Sequence, residues 1–238
     1  MENDTDIKKC PSCGLTGNGM FCSNCGHQFE IKRLTIKGLL YDIIHLFTKL
    51  EKGFGYTLKQ LIISPGHMQR SYIKGNRRKH QSPFSMFFIC ATIAALLRYW
   101  ILYIVMTSFH AANPVEVNFF KEYMVILYIF LVPVYALFGL LLFYRSGYNY
   151  IEIIVLLLYT LSVIFLASPF LFLLMFIWPG MDVMYIEFVI YSFYFAITFV
   201  NFFNNYPRWK IILLSLLCLA IAFVINQITE DLAMKFLY

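Results

Sequence analysis

Four cysteines near the N-terminus have the residue type and the spacing of a metal site. Cys10 and Cys13 form one Cys-x2-Cys pair, and Cys22 and Cys25 form a second pair after eight intervening residues. Zinc prefers four tetrahedral ligands, and two short knuckles can each supply two thiolates. A glycine follows each pair and permits a tight turn around the metal. The pattern therefore predicts one zinc ion per chain, held by Cys10, Cys13, Cys22 and Cys25.

The predicted zinc is structural, because four cysteine ligands leave no open position for a substrate or a water molecule. An iron–sulfur cluster and four free thiols are the alternatives. His27 directly follows the second pair, and we interpret it as an exposed polar residue and not as a ligand. A ribbon this short has almost no core, so metal binding is expected to fold it. Cys90 and Cys218 lie in apolar runs and are interpreted as packing residues.

Other chemistry-bearing residues are sparse. The sequence contains no His-Glu-x-x-His, no Gly-x-Ser-x-Gly and no glycine loop for phosphate, and it therefore predicts a protein that is not an enzyme. Arg98 and Glu187 lie inside apolar runs, where ionisable groups are costly and are often functional. Arg98 can reach the outer membrane interface by itself, or it can pair with Glu187. Three asparagines, Asn201, Asn204 and Asn205, are expected to cap a helix end.

The elements that carry these residues are dominated by apolar runs. Hydrophobic residues make up 60% of the chain and charged residues 13%, against about 45–50% and about 25% in soluble proteins. A helix needs roughly 20 apolar residues to cross a bilayer. Five runs approach that length: 84–106, 122–143, 151–177, 183–203 and 210–228. The number of spans depends most on Pro169, because a proline there could turn the third run into a kinked or re-entrant segment.

The fold class that we expect is an all-α polytopic membrane protein of about five transmembrane helices, with a small N-terminal zinc ribbon and cytoplasmic amphipathic helices. The predicted domains are the ribbon at 1–30, amphipathic or interfacial helices at 31–82 and the transmembrane domain at 83–238. In the middle segment, helical periodicity predicts a helix from Thr35 to Leu50 that lies along the cytoplasmic face of the membrane or against the cytoplasmic ends of the spans. A second helix follows at 58–63, capped by Thr57, and a third runs from 67 to 74 and ends at Gly75.

Charge sets the expected orientation. Residues 1–80 contain 13 of the 19 Lys and Arg residues, and the short loops after the second and fourth runs carry Arg145, Arg208 and Lys210. Basic loops stay in the cytoplasm, so five spans would put the N-terminus inside and the C-terminus outside. We therefore expect a multi-pass protein of the bacterial inner (cytoplasmic) membrane. Basic residues before the first span favour contact with the lipid bilayer, and nucleic acid is the less favoured partner.

A longer pattern begins at the second cysteine pair and extends beyond it. It comprises Phe21-Cys22-x2-Cys25-Gly26-His27-Gln28, then Gly55-Tyr56-Thr57-Leu58, Ser64-Pro65-Gly66 and Tyr72-Ile73-x-Gly75-x-Arg77-Arg78, and it ends in Ser82-Pro83-Phe84. Over residues 10–90 the chain resembles a bacterial domain-of-unknown-function family of zinc-ribbon polytopic membrane proteins. The resemblance implies the four zinc ligands and a signature without a known role at Pro65, Gly66, Tyr72, Gly75 and Arg77.

Four functions compete. The first is a non-enzymatic, regulatory or partner-binding membrane protein, in which the zinc ribbon forms a cytoplasmic platform for a protein partner. The second is a transporter or pore with Arg98 and Glu187 on its path. The third is a membrane accessory or effector of a bacterial defence system, and the fourth is a lipid-modifying enzyme. The first requires nothing that the sequence lacks, and we favour it. The sequence does not indicate the oligomeric state.

Overall fold

The computed structural model describes residues 8–11, 13–26, 29, 53–109, 124–176 and 183–237. Within these ranges the regular secondary structure is helical, apart from a short antiparallel hairpin of strands β1 (Lys8–Lys9) and β2 (Thr16–Gly17). There are seven α-helices in the described residues: α1 (Phe54–Ile63), α2 (His67–Ile73), α3 (Pro83–Phe109), α4 (Met124–Leu142), α5 (Tyr150–Phe172), α6 (Val183–Phe202) and α7 (Arg208–Leu237).

Four helices are long and apolar enough to cross a membrane. Their apolar segments are Pro83–Val105, Tyr150–Phe172, Tyr185–Phe202 and Arg208–Thr229. Helix α4 contributes a shorter apolar stretch, Leu127–Leu142. A helix lies at each of the five predicted runs, but in the described part of the chain only four of these helices are long and apolar enough to cross a membrane, and α7 extends to Leu237, beyond the predicted end at 228. Five complete spans remain a prediction.

Helix α5 occupies the centre of the bundle and packs against α1, α2, α3, α4 and α6. Every residue from Ile151 to Thr160 is buried, which agrees with a helix that is apolar on all sides. Helix α3 runs parallel to α5, because Phe87 contacts Phe165 and Arg98, further along, lies over Phe172. Helix α4 runs antiparallel to α5, since Tyr128 near its start also contacts Phe165, with ring centres 4.7 Å apart.

The ends of α5 explain its length. Asn149 and Glu152 form a capping box at its start, in which the Asn149 Oδ1 accepts from the Glu152 N–H and the Glu152 Oε2 accepts from the Asn149 N–H, both at 2.8 Å. Pro169 does not divide the helix. Helix α5 continues to Phe172 and then tightens into a 3-10 turn, Leu173–Phe176, and its length is sufficient to cross a membrane.

The short helices differ from the predictions in one respect. Helix α1 begins at Phe54, and Thr57 lies inside it, fully buried, so Thr57 is not the predicted cap. Its hydroxyl oxygen instead accepts from the Gln81 N–H at 2.8 Å, a long-range contact that spacing alone does not indicate. Helix α2 ends at Ile73 and is followed by Gly75 at φ +104°, as predicted. The predicted helix at 35–50 lies outside the described residues.

Candidate metal centre and the hairpin beneath the bundle

The four cysteines of the ribbon converge. Their Sγ atoms all lie within 4.8 Å of one another. The Cys10 and Cys25 Sγ atoms are 3.5 Å apart, and those of Cys13 and Cys22 are also 3.5 Å apart. Four sulfurs at about 2.3 Å from a tetrahedral zinc ion would be about 3.8 Å apart, whereas bonded sulfurs are about 2.05 Å apart. The arrangement could therefore hold a metal ion.

Local backbone geometry positions these sulfurs. Gly14 and Gly26 have φ angles of +78° and +66°, which glycine adopts without the steric cost of a side chain. In each knuckle the glycine N–H donates to the carbonyl of the first cysteine: Gly14 to Cys10 at 2.9 Å and Gly26 to Cys22 at 2.7 Å. The two turns are thus equivalent, and each points a pair of thiols to the same centre.

Local hydrogen bonds favour the thiolate form of Cys22. The Cys25 backbone N–H is the largest cause that holds the pKa of Cys22 below its usual value, and the Asn24 backbone and the neighbouring cysteines act in the same direction. Metal ligation requires the deprotonated form. Because all four donors are cysteines, a bound ion would have a complete tetrahedral shell.

The ribbon also presents apolar side chains to solvent. Met20 is 76% exposed and Phe21 is 56% exposed, and Leu15 is exposed beside them in sequence. Phe29, in contrast, is buried against Gly17, where an added Cβ would lie 2.9 Å from its ring. The ribbon therefore buries one aromatic side chain and leaves the apolar residues between its knuckles uncovered.

After the ribbon in sequence, helices α1 and α2 and the turn Ser64–Gly66 form a helical hairpin, which we call the α1–α2 hairpin. Its turn packs against α6. The Asn201 side chain donates to the Pro65 carbonyl at 2.9 Å, and a Cβ on Gly66 would lie 2.6 Å from the Asn201 Cβ and would overlap the Thr198 carbonyl oxygen. Gly66 also has a φ angle of +80°. Both residues of the signature turn are thus fixed by close contact with α6.

Arg70 was not among the predicted site residues, yet it makes the densest set of polar contacts in the hairpin. Its Nε donates to the Phe202 carbonyl at 2.9 Å, and its Nη2 donates to the same carbonyl at 2.5 Å, to the Asn204 Oδ1 at 2.8 Å and to the Asn201 carbonyl. These carbonyls are the unsatisfied groups at the C-terminal end of α6. The asparagines were expected to cap this end, and a cation from a distant helix does much of the capping.

Tyr72 is the centre of an aromatic cluster. Its ring packs edge-on against Tyr159 of α5, with centroids 5.4 Å apart, and against His80 at 6.4 Å. The Arg77 guanidinium lies 5.7 Å from the Tyr72 ring centre, and its Nε donates to the Tyr72 carbonyl at 3.3 Å. Gly75 ends α2 between them. Three signature residues therefore build one contact between the hairpin and α5.

The segment from His80 to Ser85 completes this contact with buried polar groups. The Tyr159 hydroxyl donates to the Gln81 carbonyl at 2.5 Å, and the Gln81 side-chain amide donates to the Ser85 hydroxyl at 2.6 Å. His80 is buried next to them. Burial, assisted by the charge of Lys79, holds the pKa of His80 below its usual value.

Arg98 and Glu187 lie near one tyrosine. The Arg98 guanidinium carbon is 4.0 Å from the centre of the Phe172 ring. The Tyr191 hydroxyl donates to the Glu187 Oε1 at 2.9 Å, and it lies within electrostatic range of Arg98 and beside Ser168. The predicted residues thus share a neighbourhood, while a direct ion pair between them stays a prediction.

Comparison with known proteins gives one match. Residues 51–95 match the family described as "Protein of unknown function (DUF3667)". Neither the curated proteins nor the solved structures include a significant match to the chain. The matched residues cover α1, α2 and the first half of α3, and they include the five signature residues from Pro65 to Arg77. The match does not extend to the cysteines, so the resemblance of this chain to a zinc-ribbon family stays a prediction there. Family similarity is therefore found in the hairpin and in its connection to α3.

Proposed function

We propose that this chain is a non-enzymatic integral membrane protein whose ribbon holds a structural zinc ion and forms a cytoplasmic platform for a protein partner. The observation that carries the proposal is the convergence of the four cysteine sulfurs within 4.8 Å. Zinc suits this donor set and is redox-inert, and four protein ligands leave no position for a reacting molecule. The metal would therefore stabilise the fold of the ribbon.

The exposed apolar residues support a partner at the ribbon. Met20 and Phe21 are uncovered, and methionine and aromatic side chains are typical of binding surfaces. Both lie on the segment whose two ends the metal would fix. Zinc would thus order a small apolar surface, which a protein partner could cover.

Five spans with a cytoplasmic ribbon are part of this proposal. The helix directions support it, because α3 and α5 run parallel and α4 runs opposite to both. The Arg145 N–H donates to the Tyr206 hydroxyl at 3.0 Å, close in sequence to Arg208, and the hairpin contacts the same end of α6 through Arg70. A shared side for these basic residues and the hairpin agrees with the distribution expected of cytoplasmic loops. The bilayer and the ribbon's protein partner are the two binding partners that we propose.

The platform is tested by photo-crosslinking in cells, with a photoreactive amino acid at Met20. We expect a discrete crosslinked protein that disappears in a Cys22→Ser variant, which cannot complete the zinc site. A Phe21→Ser variant should keep its zinc and lose most of the same crosslink, because the apolar contact is removed. Undiminished crosslinking in the Cys22→Ser variant would contradict a zinc-ordered platform.

A transporter or pore is the second candidate, and the cluster of Arg98, Glu187, Tyr191 and Ser168 favours it. Ser168 is buried and the other three residues are partly buried, and polar groups among membrane helices often line ion or substrate paths. Purified protein in liposomes separates the two proposals. A proton or ion flux that is abolished by Glu187→Gln, with unaltered helix content, would favour transport over the platform.

A further inference from the structure

Helix α3 is displaced along the bundle relative to its parallel neighbour α5. Phe87 lies about one turn inside α3, whereas its contact Phe165 lies about four turns inside α5, and their ring centres are 5.5 Å apart. Three turns correspond to about 16 Å along the helix axis. Helix α3 therefore begins well inside the length of α5, and the first turns of α5 have no α3 beside them.

The α1–α2 hairpin occupies the place that α3 leaves. Both of its helices pack against α5, and the α5 residues from Ile151 to Thr160 are all buried. Tyr72 contacts Tyr159, which lies more than two turns inside α5. The hairpin thus covers the half of α5 that precedes the start of α3.

Contacts with α6 independently give the same position for the α1–α2 hairpin along the bundle. The Tyr194 hydroxyl donates to the Leu61 carbonyl at 3.2 Å, and Tyr194 lies about two turns, or about 12 Å, from the Phe202 end of α6. Side chains lean toward the N-terminus of their helix, which in α6 is the end remote from Phe202. Tyr194 belongs to the apolar segment Tyr185–Phe202 that is long enough to cross a membrane.

Interfacial residues lie beyond these contacts. Tyr144 and Trp209 are both exposed, and they lie outside the start of α5 and the end of α6, respectively. The Lys210 ammonium lies 5.4 Å from the Tyr206 ring centre in the same region. Aromatic and basic residues collect at the membrane–water boundary. This pattern predicts a boundary on this side at 144–150 and 202–210, with Leu61 on the membrane side of it.

We propose that the α1–α2 hairpin is embedded in one leaflet of the bilayer and that Ile62 and Ile63 contact lipid acyl chains. These side chains are 60% and 63% exposed, and they follow Leu61, whose carbonyl fixes the depth. Phe193 and Ile197 of α6 are also exposed, next in sequence to Tyr194 and Thr198, which contact the hairpin or lie beside its turn. The leaflet is the cytoplasmic one if the proposed orientation holds, but the depth itself follows from the contacts with α5 and α6.

Carbene labelling of the intact chain in liposomes tests this placement. A phospholipid with a diazirine at the end of its acyl chain should label Ile62 and Ile63 to an extent comparable with Leu213, which is 61% exposed on α7. A water-soluble diazirine should label Met20 of the ribbon and should miss the two isoleucines. Peptide mapping by mass spectrometry gives both patterns from unaltered protein.

Two results would overturn the proposal. Labelling of Ile62 and Ile63 by the water-soluble reagent alone would place the hairpin in water, and protection from both reagents would mean that protein covers this face. A variant pair provides a second readout. Ile63→Asp should lower the thermal unfolding midpoint in liposomes while Ile63→Leu leaves it unchanged, and equal midpoints would contradict contact with acyl chains. Neither measurement depends on which side of the membrane holds the ribbon.

Discussion

The guanidinium group of Arg70 joins two parts of the chain that are far apart in sequence. It donates to main-chain carbonyls at the end of α6 and to the Asn204 side chain. A cation at this position also interacts favourably with the negative end of the helix dipole. Arg70 thereby fastens the segment that carries the family similarity to the membrane bundle.

Replacing Arg70 should destabilise this connection. We expect Arg70→Ala to lower the free energy of unfolding by about 1.5–3 kcal/mol, the usual effect of lost charged hydrogen bonds. Arg70→Lys should be only partly tolerated, because an ammonium group cannot reproduce the planar fork. Thermal unfolding in detergent measures both effects. Lys74→Ala, at an exposed position on the same segment, is the control, and an equal loss in that variant would contradict the capping role.

The ribbon cysteines give a second prediction for single residues. Purified protein should contain one zinc ion per chain, and Cys22→Ser should lose it, because three thiolates do not complete the shell. Cys218→Ala should keep the full zinc content, since Cys218 is buried in α7 and remote in sequence from the ribbon. Elemental analysis of the purified protein and the two variants measures the zinc content. Full zinc content in the Cys22→Ser variant would refute the assignment.

Among the elements, the α1–α2 hairpin depends on the glycine in its turn. At Gly66 a Cβ would overlap the Thr198 carbonyl oxygen, and the φ angle of +80° disfavours any other residue. At Gly55, inside α1, a Cβ would meet no atom within 4 Å. The same substitution at the two positions should therefore have opposite effects.

Gly66→Ala should lower the free energy of unfolding by about 1–3 kcal/mol, through overpacking and backbone strain. Gly55→Ala should raise it by about 0.5–1 kcal/mol, because alanine loses less conformational entropy in a helix. Thermal unfolding of the two variants in one detergent is the measurement. If both variants behaved alike, the close packing of the hairpin turn on α6 would be wrong.

The elements also show how far sequence reasoning reaches. The cysteine cluster was predictable because its ligands are close in sequence, and the long helices were predictable because apolar runs are a composition signal. The displacement of α3 and the contacts of Arg70 were not. The Arg70 contacts with main-chain carbonyls join residues 131 and 132 positions apart, and the contacts between α3 and α5 join residues 74 and 78 positions apart. No local periodicity or spacing indicates either set. Thr57 was misassigned for the same reason, since its partner Gln81 lies in another segment.

At the scale of the whole molecule, a small cysteine-rich head precedes a helical bundle with α5 at its centre. The hairpin connects the two in sequence and packs against α5 and α6. Gly26 of the ribbon lies near Arg78, whose guanidinium nitrogen would be 3.3 Å from an added Cβ. Head, hairpin and basic residues thus lie on the side of the bundle that we assign to the cytoplasm.

The orientation of this bundle is the central claim, because both the partner platform and the side of the hairpin depend on it. Five spans with a cytoplasmic ribbon put Tyr238 outside the cytoplasm. Reporter fusions after Tyr238 measure this most directly. We predict that alkaline phosphatase fused there is active and that a fluorescent protein that matures only in the cytoplasm is dark. An inactive phosphatase together with a bright fluorescent reporter would contradict the five-span arrangement.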